Sequence, residues 1–386
     1  MNIDKQRIKV AIAGTGCVGR GLALLLSKLP DFELTGILTR RKGPISDLLV
    51  NQALVTNNAH QVMEGTDVLV VSTGDVVYST EIIRLAFSYK LPVVTMDADT
   101  QIVSGSWLSK QGRLTEAEGD QPGCLAALKE EVTAMGFQPL VLGNIKGFLN
   151  QNPTMEEMSF WSKKQGFSLH SVTSFTDGTK LQTEQCLVAN GLGADILKQG
   201  LTGERIDDLQ TGAFRLAEQA SAAGKIISDY IISPTAPPGV FIVAEHDPAL
   251  AGGLKAYKMG DGPYYLHYKP YHLCYFEVPK TIRRFVHEQR GLLDNGSTPH
   301  TGVAAVAKRD LQAGSFIDTG IGSLMVRGEA VELSALPNMV PIGLLNQAWL
   351  KKKVEAGQVL TFDDVEIPES TALTAWEETV TQHKTI

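Results

Sequence analysis

Cysteine is scarce in this chain. Its 386 residues include four cysteines, which lie far apart in the sequence and form no CxxC pair. This scarcity excludes both a disulfide framework and a zinc knuckle, and it is typical of a reducing compartment. The N-terminal segment MNIDKQRIKVAIAG also lacks the apolar stretch of about 7–15 residues that a signal peptide needs. We therefore expect a cytoplasmic protein.

Long apolar runs and an excess of positive charge are absent as well. No stretch of about 20 apolar residues occurs, so the sequence predicts no membrane span. Lys and Arg number 35 against 42 Asp and Glu, and the net charge of -7 provides no general attraction to nucleic acid or anionic membranes. What is present is an ordinary globular composition, 43% hydrophobic and 20% charged. We therefore expect neither a nucleic acid nor a membrane as a partner.

The first 150 residues alternate short apolar runs with helical patterns. Four of these runs predict strands: Lys9–Ala13, Glu33–Thr39, Val68–Ser72 and Pro92–Met96. Such alternation is typical of parallel strands joined by helical crossovers. We therefore predict an α/β fold that begins with a doubly wound (Rossmann) sheet in residues 1–150. A helix from Gln121 to Met135 and the apolar run Pro139–Ile145 would close this region.

A second region, residues 151–298, mixes helix and strand patterns. After a breaker-rich linker, Thr154 and Glu157 have the spacing of a capping box for its first helix. Ser168–Phe175 alternates like a strand and ends in turn-forming residues before another helical pattern. Apolar runs between residues 240 and 277 suggest antiparallel pairing. These patterns predict an α+β domain, and this second region is the candidate domain for substrate binding, catalysis and oligomerisation.

The polar tract Asn295–Thr301 leads into a third region. Short strand patterns punctuated by turns in residues 299–368 predict a compact all-β module. Residues 369–386 are left as a C-terminal tail.

Three glycines follow the first predicted strand. Gly14, Gly16 and Gly19 stand in G-x-G-x-x-G register at the start of an amphipathic helix. Gly14 would permit a tight turn, Gly16 a close approach to a pyrophosphate, and Gly19 close packing of helix on strand. The amides at the helix start, with those of Cys17 and Val18, would bind the anion. This predicts a dinucleotide site, and a turn that only packs tightly is the alternative.

The end of the second strand distinguishes NADP from NAD. An NAD site usually carries a carboxylate there, about 20 residues after the glycines, to bind the ribose 2′-hydroxyl. This sequence has Thr39, Arg40 and Arg41 instead. Guanidinium groups suit a 2′-phosphate by charge and by their fork of donors, so NADP is favoured over NAD. A solvated loop is the alternative for the two arginines.

Polar residues also follow the strands that should border the cofactor. Ser72, Thr73 and Gly74 follow one strand, and Asp97 follows the next. In an open parallel sheet, ligands bind beyond the carboxyl ends of the strands. We therefore predict that these residues contact the cofactor or substrate. For Asp97 a role in a turn or cap is the alternative.

Hydride transfer to or from a carbinol carbon needs a proton donor or acceptor beside the oxygen. Asp177 and Lys180 offer such a pair at a predicted strand-to-helix turn. Lys180 would protonate or polarise the oxygen, and Asp177 would position Lys180. The alternative is an exposed first-turn lysine beside a capping aspartate. Glu184, one helical turn later, would face the substrate or pair with Lys180.

The segment Tyr264–His272, YYLHYKPYH, concentrates polar and aromatic residues on a predicted hairpin. Lys269 and His272 are candidates for binding a phosphate, carboxylate or polyol. A half-exposed antiparallel strand would show the same alternation.

An acidic cluster, Glu116, Glu118 and Asp120, is the one candidate for a divalent metal, because hard cations prefer carboxylates. No ligand-spacing rule supports it, and helix capping accounts for Asp120. We therefore predict no metal.

Several motifs together resemble one family along the whole chain. They are GTGCVG at 14–19, SFTDGTK at 174–180, YYLHYKPYHL at 264–273, VAKRDLQAGSFID at 306–318 and PIGLLNQAWLKKKVEAGQVLTFDDV at 341–365. In these segments the chain resembles homoserine-dehydrogenase-like oxidoreductases with a C-terminal SAF domain, which include the deoxyxylulose-phosphate-reductoisomerase-like group. The resemblance implies an NADP-dependent oxidoreductase, a homo-oligomer, and a SAF (β-clip) fold for the third module.

The resemblance also implies roles for single residues. Asp177 and Lys180 fall in the family's DG(S/T)K segment, and Arg327 would contact substrate from a neighbouring subunit. Met96-Asp97 departs from the Asn-Lys step of a plain homoserine dehydrogenase. The implied enzyme is therefore a dehydrogenase or reductoisomerase of a small polyhydroxylated carbonyl compound, with or without a phosphate. The alternatives are a homoserine dehydrogenase and a non-catalytic sensor that binds NADP and a sugar.

Overall fold

The computed structural model describes residues 7–43, 45 and 48–383. The expectation about a signal peptide rests in part on residues 1–6, which lie outside this range. The strands are β1 Ile8–Ala13, β2 Phe32–Leu38, β3 Val55–Thr56, β4 Val68–Val71, β5 Val93–Thr95, β6 Leu114–Glu116, β7 Gln138–Lys146, β8 Glu204–Arg205, β9 Ile227–Ile232, β10 Val240–Glu245, β11 Tyr265–Lys269, β12 Thr301–Ala307, β13 Phe316–Thr319, β14 Val326–Glu332, β15 Asn346–Leu350 and β16 Val365–Glu366. The α-helices are α1 Cys17–Leu26, α2 Ala59–Met63, α3 Val76–Ser88, α4 Ala98–Thr100, α5 Ser106–Leu108, α6 Gln121–Ala134, α7 Met155–Gln165, α8 Leu169–Thr176, α9 Thr179–Leu192, α10 Leu209–Ala223, α11 Ala251–Ala256, α12 Val278–His287 and α13 Thr371–His383.

The first sheet is parallel throughout, with the strand order β3-β2-β1-β4-β5-β6. Alternate residues of its central strands face opposite sides. Val10 and Ile12 of β1 belong to one apolar cluster, and Ala11 and Ala13 belong to another. Both faces are therefore covered, as a parallel sheet requires. This confirms the predicted Rossmann-type sheet and places the reversal of strand order beside β1.

The second sheet is mixed, with the strand order β11-β10-β7-β9-β8. Helix α9 packs on one face through Val188, and helix α10 packs on the other through Leu216. Strand β10 pairs antiparallel with both β7 and β11, so the antiparallel pairing suggested by the sequence is present. The run Pro139–Ile145, predicted to close the first region of the chain, lies in β7 of this second sheet.

One predicted strand is a helix. Ser168–Phe175 was expected to be extended, but Leu169–Thr176 forms α8, and the Ser168 side chain caps it by accepting from the Ser171 amide. Over eight residues, strand alternation and helical spacing cannot be separated, and the serine cap favours the helix. The segment that carries Asp177 is therefore a helix-to-helix junction.

Two local predictions are confirmed. Thr154 and Glu157 form a capping box at the start of α7, in which each side chain binds the other residue's backbone amide. Helix α6 ends at Ala134, close to its predicted end. These signals were readable because they are local.

The C-terminal strands form two small antiparallel sheets. Strand β12 pairs with β14 over seven residues, and β15 pairs with both β13 and β16. The region is rich in strands, as predicted. Its identity as a SAF module remains a prediction.

The described residues divide into two compact units. The first comprises residues up to Gly123, Leu273–Ser297 and the residues from Ser370 on, and the second comprises Cys124–His272 and Thr298–Glu369. The boundaries predicted at 150, 298 and 368 stay predictions. In the described part of the chain, no helix combines the length and apolar character that a membrane span requires.

The segment predicted as a C-terminal tail forms helix α13 in the first unit. Its Ala375 and Trp376 are buried. Glu378 accepts a hydrogen bond of 2.7 Å from the indole Nε1 of Trp107, and Thr371 donates to Glu81 at the start of the helix. Helix α13 is thus an integral part of the unit that holds the Rossmann sheet.

Candidate functional site

The turn between β1 and α1 depends on two glycines for its shape. Gly14 has a φ of 121°, which L side chains rarely adopt, and a Cβ there would collide with the Ser72 carbonyl oxygen. A Cβ on Gly19 would collide with the carbonyl oxygen of Gly14. The structure therefore has the tight turn and the close helix–strand approach that the G-x-G-x-x-G spacing predicts.

Gly16 lies in a different environment. It is the N-cap of α1, and its φ of -72° suits any residue. Apart from Gly16 itself and its two chain neighbours, no described atom lies within 4 Å of the place where its Cβ would stand. Gly16 has no side chain to cap the helix. The first amides of a helix have no intrahelical acceptor, so those of Cys17, Val18 and Gly19 are available to an anion. Open space beside unpaired donors fits a pyrophosphate.

Gly16→Ala is expected to weaken dinucleotide binding about tenfold or more, because a methyl group would occupy the space that a pyrophosphate needs. The free protein should keep its stability, since the Cβ meets nothing. Gly14→Ala, the matched comparison, should lower the melting temperature instead. Calorimetric titration with NADPH and thermal unfolding of both variants would check this. Wild-type affinity in Gly16→Ala would contradict it.

The loop after β2 is organised around Thr39. The Thr39 hydroxyl lies 2.9 Å from the Thr15 hydroxyl and accepts from the Arg41 amide at 3.2 Å. The Asn57 side chain donates to the carbonyl oxygens of Thr39, at 2.6 Å, and Arg41, at 3.0 Å. The two arginines therefore leave the sheet from a hydrogen-bonded loop.

Arg40 already has partners in this structure. Its guanidinium Nη1 lies 2.7 Å from Asp75 Oδ2, and its Cζ lies 4.3 Å from the centre of the Tyr78 ring. Burial raises the pKa of Tyr78, although the positive charge of Arg40 opposes this. Arg40 is thus held in place by the Asp75 carboxylate. A 2′-phosphate would compete with that carboxylate for the Arg40 guanidinium group.

Asp97 binds the loop that follows β4. Its carboxylate accepts from the amides of Thr73, at 2.9 Å, and Gly74, at 3.1 Å, and from the Ser79 hydroxyl at 2.8 Å. The turn-stabilising role weighed for Asp97 is therefore present. Contact of Ser72, Thr73, Gly74 or Asp97 with a cofactor stays a prediction.

The acidic cluster is engaged with neighbouring side chains. Glu116 is buried and accepts from the Thr95 hydroxyl at 2.5 Å, and Glu118 lies 2.5 Å from the Lys280 ammonium group. Among the residues that the structure describes, no group of His, Cys, Asp or Glu has the arrangement of a metal site.

A second cluster lies in the second unit, where β7 meets the first turns of α9. The side chain of Glu184 is fully buried, and its carboxylate lies 3.2 Å from Lys180 Nζ and 3.3 Å from Lys146 Nζ. Asn144 Nδ2 donates to it at 2.9 Å. The side chains of the two lysines are 26% and 20% exposed. One buried carboxylate thus holds two ammonium groups, both of which are partly exposed to solvent.

Lys146 was missed in the sequence. A signal was present, because Asn144 and Lys146 are two residues apart at the end of an apolar strand and so share a face. Their meeting with Lys180 and Glu184 depends on packing between β7 and α9, which no local pattern specifies.

Asp177 does not position Lys180 as predicted. It ends α8, and its fully buried carboxylate lies 2.7 Å from Lys308 Nζ and accepts from the Thr179 amide at 2.8 Å. Burial raises the pKa of Asp177, against the influence of Lys308, and burial lowers the pKa of Lys308. Lys180 pairs with Glu184 instead. The expectation failed because Lys308 is distant in sequence and lies in the all-β region.

The other predicted substrate residues are spread over the second unit. Lys269 Nζ donates to Cys124 Sγ at 3.4 Å, and His272 lies half-buried beyond β11. Arg327 is paired with Glu329, and its side chain is 12% exposed. The three contacts stay predictions.

A parallel sheet of this order, with an open glycine turn at the end of β1, defines a Rossmann-type nucleotide-binding fold. Residues 119–278, which include the lysine cluster, match a family model described as oxidoreductase DRL, catalytic domain. By this match, the segment is similar to an oxidoreductase catalytic domain. Among curated proteins, none matches the chain.

Several solved structures resemble the chain at low identity. A probable dehydrogenase from Thermotoga maritima is 10% identical, with 75% of this chain and 91% of that chain covered and a TM-score of 0.43. A myo-inositol dehydrogenase from Corynebacterium glutamicum is 12% identical, with 74% and 90% covered and a TM-score of 0.44. The homoserine dehydrogenase of S. aureus is 14% identical, with 79% and 84% covered and a TM-score of 0.41. Structural similarities this weak do not indicate which reaction the protein catalyses.

Proposed function

We propose that this protein is an NADP-dependent oxidoreductase that transfers a hydride to or from a small polyhydroxylated carbonyl compound, with or without a phosphate. The observation that carries the proposal is the open space beside Gly16 at the uncapped start of α1. The match of residues 119–278 to an oxidoreductase catalytic domain supports the same class of reaction.

The absence of a carboxylate at the end of β2 supports NADP over NAD. Thr39 is buried there, and Arg40 and Arg41 follow it on the surface. A 2′-phosphate would receive charge-assisted hydrogen bonds from these arginines once it displaces Asp75 from Arg40, whereas the carboxylate that usually accepts from a ribose hydroxyl is absent from this strand end.

The lysine cluster supplies the acid–base chemistry in this proposal. The nicotinamide ring supplies or accepts the hydride when the cofactor is bound. In the reducing direction Lys180 would give a proton from Nζ to the carbonyl oxygen, and in the oxidising direction it would take that proton back. Lys146 would stabilise negative charge on the same oxygen or bind an acidic group of the substrate. Glu184 holds both ammonium groups and so orients them.

The proposal is tested by measuring coenzyme binding and turnover together. Wild-type protein should bind NADPH more tightly than NADH and oxidise NADPH with a member of a ketose and sugar-acid panel. Arg40→Ala/Arg41→Ala should raise the Kd for NADPH by about 10- to 100-fold, because charged hydrogen bonds are lost, with little change for NADH. Arg84→Ala, at an exposed arginine of α3, is the matched control and should bind normally.

Failure to bind either coenzyme would refute the proposal. Binding without turnover on the panel would favour a sensor. Equal affinity for NADH and NADPH would show that Arg40 and Arg41 do not bind a 2′-phosphate. The proposal that the protein is an oxidoreductase would still stand.

A further inference from the structure

Helices α7 and α8 form a hairpin with an exposed aromatic surface. Phe160 and Trp161 of α7 are 58% and 39% exposed, and Phe167 and Phe175 are 37% and 41% exposed. Each pair is in contact, with ring centres 5.3 Å and 5.9 Å apart. The Ser162 hydroxyl donates to the Phe167 carbonyl oxygen, which ties the connection to the end of α7. The exposed aromatic side chains therefore lie on a hairpin of two regular helices.

The exposed area is large for a single chain. Phe148 precedes the hairpin and is 65% exposed. Aromatic side chains bury about 150–250 Å² each, so these five aromatic side chains together leave on the order of 500 Å² open. That lies in the upper half of the range of roughly 300–600 Å² that a monomer usually exposes as its largest apolar patch. Two such surfaces in contact would bury about 1,000 Å², the least that a specific interface needs.

The charges on α7 are arranged symmetrically about Phe160. Met158 faces the interior of the protein and is buried. On the outward face, Glu156, Phe160 and Lys164 are spaced four residues apart and so form one row along the helix. The row runs from an acidic first turn to a basic last turn, with the phenyl ring at its centre.

From this row we infer that a second copy of the chain docks on this surface, with the two α7 helices antiparallel and a two-fold axis beside Phe160. Such an axis places Phe160 against its own counterpart. It also places Glu156 against Lys164 of the partner subunit, twice, because an isologous contact repeats every pair. The surface is thus complementary to itself in charge and in apolar character.

The same charges argue against other occupants. The row carries one acidic and one basic residue, so it has no excess of positive charge for an anionic membrane or a nucleic acid. Glu157 binds the Thr154 amide within its own helix. Lys164 Nζ lies 4.7 Å from the centre of the Trp161 ring, so its ammonium group sits over the aromatic surface itself.

Sedimentation velocity of the full chain over a concentration series tests the inference. Wild-type protein should sediment as a dimer at micromolar concentration. Phe160→Glu should be a monomer, because it places two carboxylates at the axis. Lys164→Glu and Glu156→Lys should each raise the dimer Kd at least tenfold, since each opposes like charges twice. Lys255→Glu, at an exposed lysine outside the hairpin, is the matched control and should dimerise normally.

Mixing the two charge variants gives the decisive result. Glu156→Lys and Lys164→Glu chains should form a heterodimer more readily than either forms a homodimer, because mixing restores both opposite-charge pairs. A fold defect in either variant would not be cured by mixing. Far-UV circular dichroism of each variant checks its fold.

A monomeric wild-type protein at about 100 µM would overturn the inference, whatever else bound the surface. A dimer indifferent to Phe160→Glu and to the charge variants would also overturn it, since the interface would then lie elsewhere. Should Phe160→Glu fail to fold, the mixing experiment decides alone. The result does not depend on the coenzyme, because α7 and α8 lie outside the unit that holds the glycine turn.

Discussion

Lys180→Met is expected to lower kcat for the best substrate by about 1,000-fold, because the proton donor is removed and general acid–base catalysis contributes roughly 100- to 10,000-fold. Methionine keeps most of the volume of the side chain, and Lys180 is partly exposed, so the fold should tolerate the change. The glycine turn belongs to the other unit, and the Kd for NADPH should stay the same. NADPH absorbance and calorimetry measure the two effects separately.

Two further variants sharpen this result. Lys225→Met removes a half-exposed lysine of the same unit, which pairs with Asp195, and should leave kcat unchanged. Lys146→Met should raise KM more than it lowers kcat if Lys146 binds an acidic group. An unchanged kcat in Lys180→Met would remove this residue from the mechanism. A loss of NADPH binding in that variant would point to a structural effect instead.

Lys308→Met is expected to lower the free energy of unfolding by about 3–5 kcal/mol, which is typical when one partner of a buried ion pair is removed. The Asp177 carboxylate would remain buried without a counter-charge, and burial already raises its pKa. Lowering the pH protonates that carboxylate and so removes the free-energy cost of burying an unpaired negative charge. The difference between wild type and variant should therefore shrink in acid. Urea unfolding at several pH values measures it.

Lys353→Met provides the matched control for this prediction. Lys353 pairs with Asp310 on the surface, where both side chains are about half exposed, and its loss should leave stability unchanged within error. The double variant Asp177→Asn/Lys308→Met should be more stable than Lys308→Met alone, because it buries no charge. Equal stability of Lys308→Met and wild type would show that the pair contributes nothing.

The Rossmann half of the fold was accessible to sequence reasoning because its signals are local. The runs around Val10 and Val68 are short and apolar, and the glycines that follow β1 have roles fixed by distances within one turn. The choice between strand and helix failed at Ser168–Phe175 because eight alternating residues satisfy both periodicities.

The candidate site was predicted only in part, since its partners meet through tertiary contacts. Lys180 and Glu184 are one helical turn apart, and their pairing could be expected. Lys146, which lies on strand β7, contacts Glu184, and Lys308 pairs with Asp177 although the two are 131 residues apart in the sequence. A single sequence carries no signal for contacts of that range.

The return of helix α13 to the first unit has a consequence for biosynthesis. Trp107 bonds to Glu378, which follows it by 271 residues, and Glu81 bonds to Thr371, which follows it by 290 residues. Trp376 occupies a buried position in the same unit. The ribosome must therefore translate the whole intervening segment, including the second unit, before the first unit can complete its own packing. Until then, the nascent N-terminal half would expose apolar surface that a chaperone could recognise.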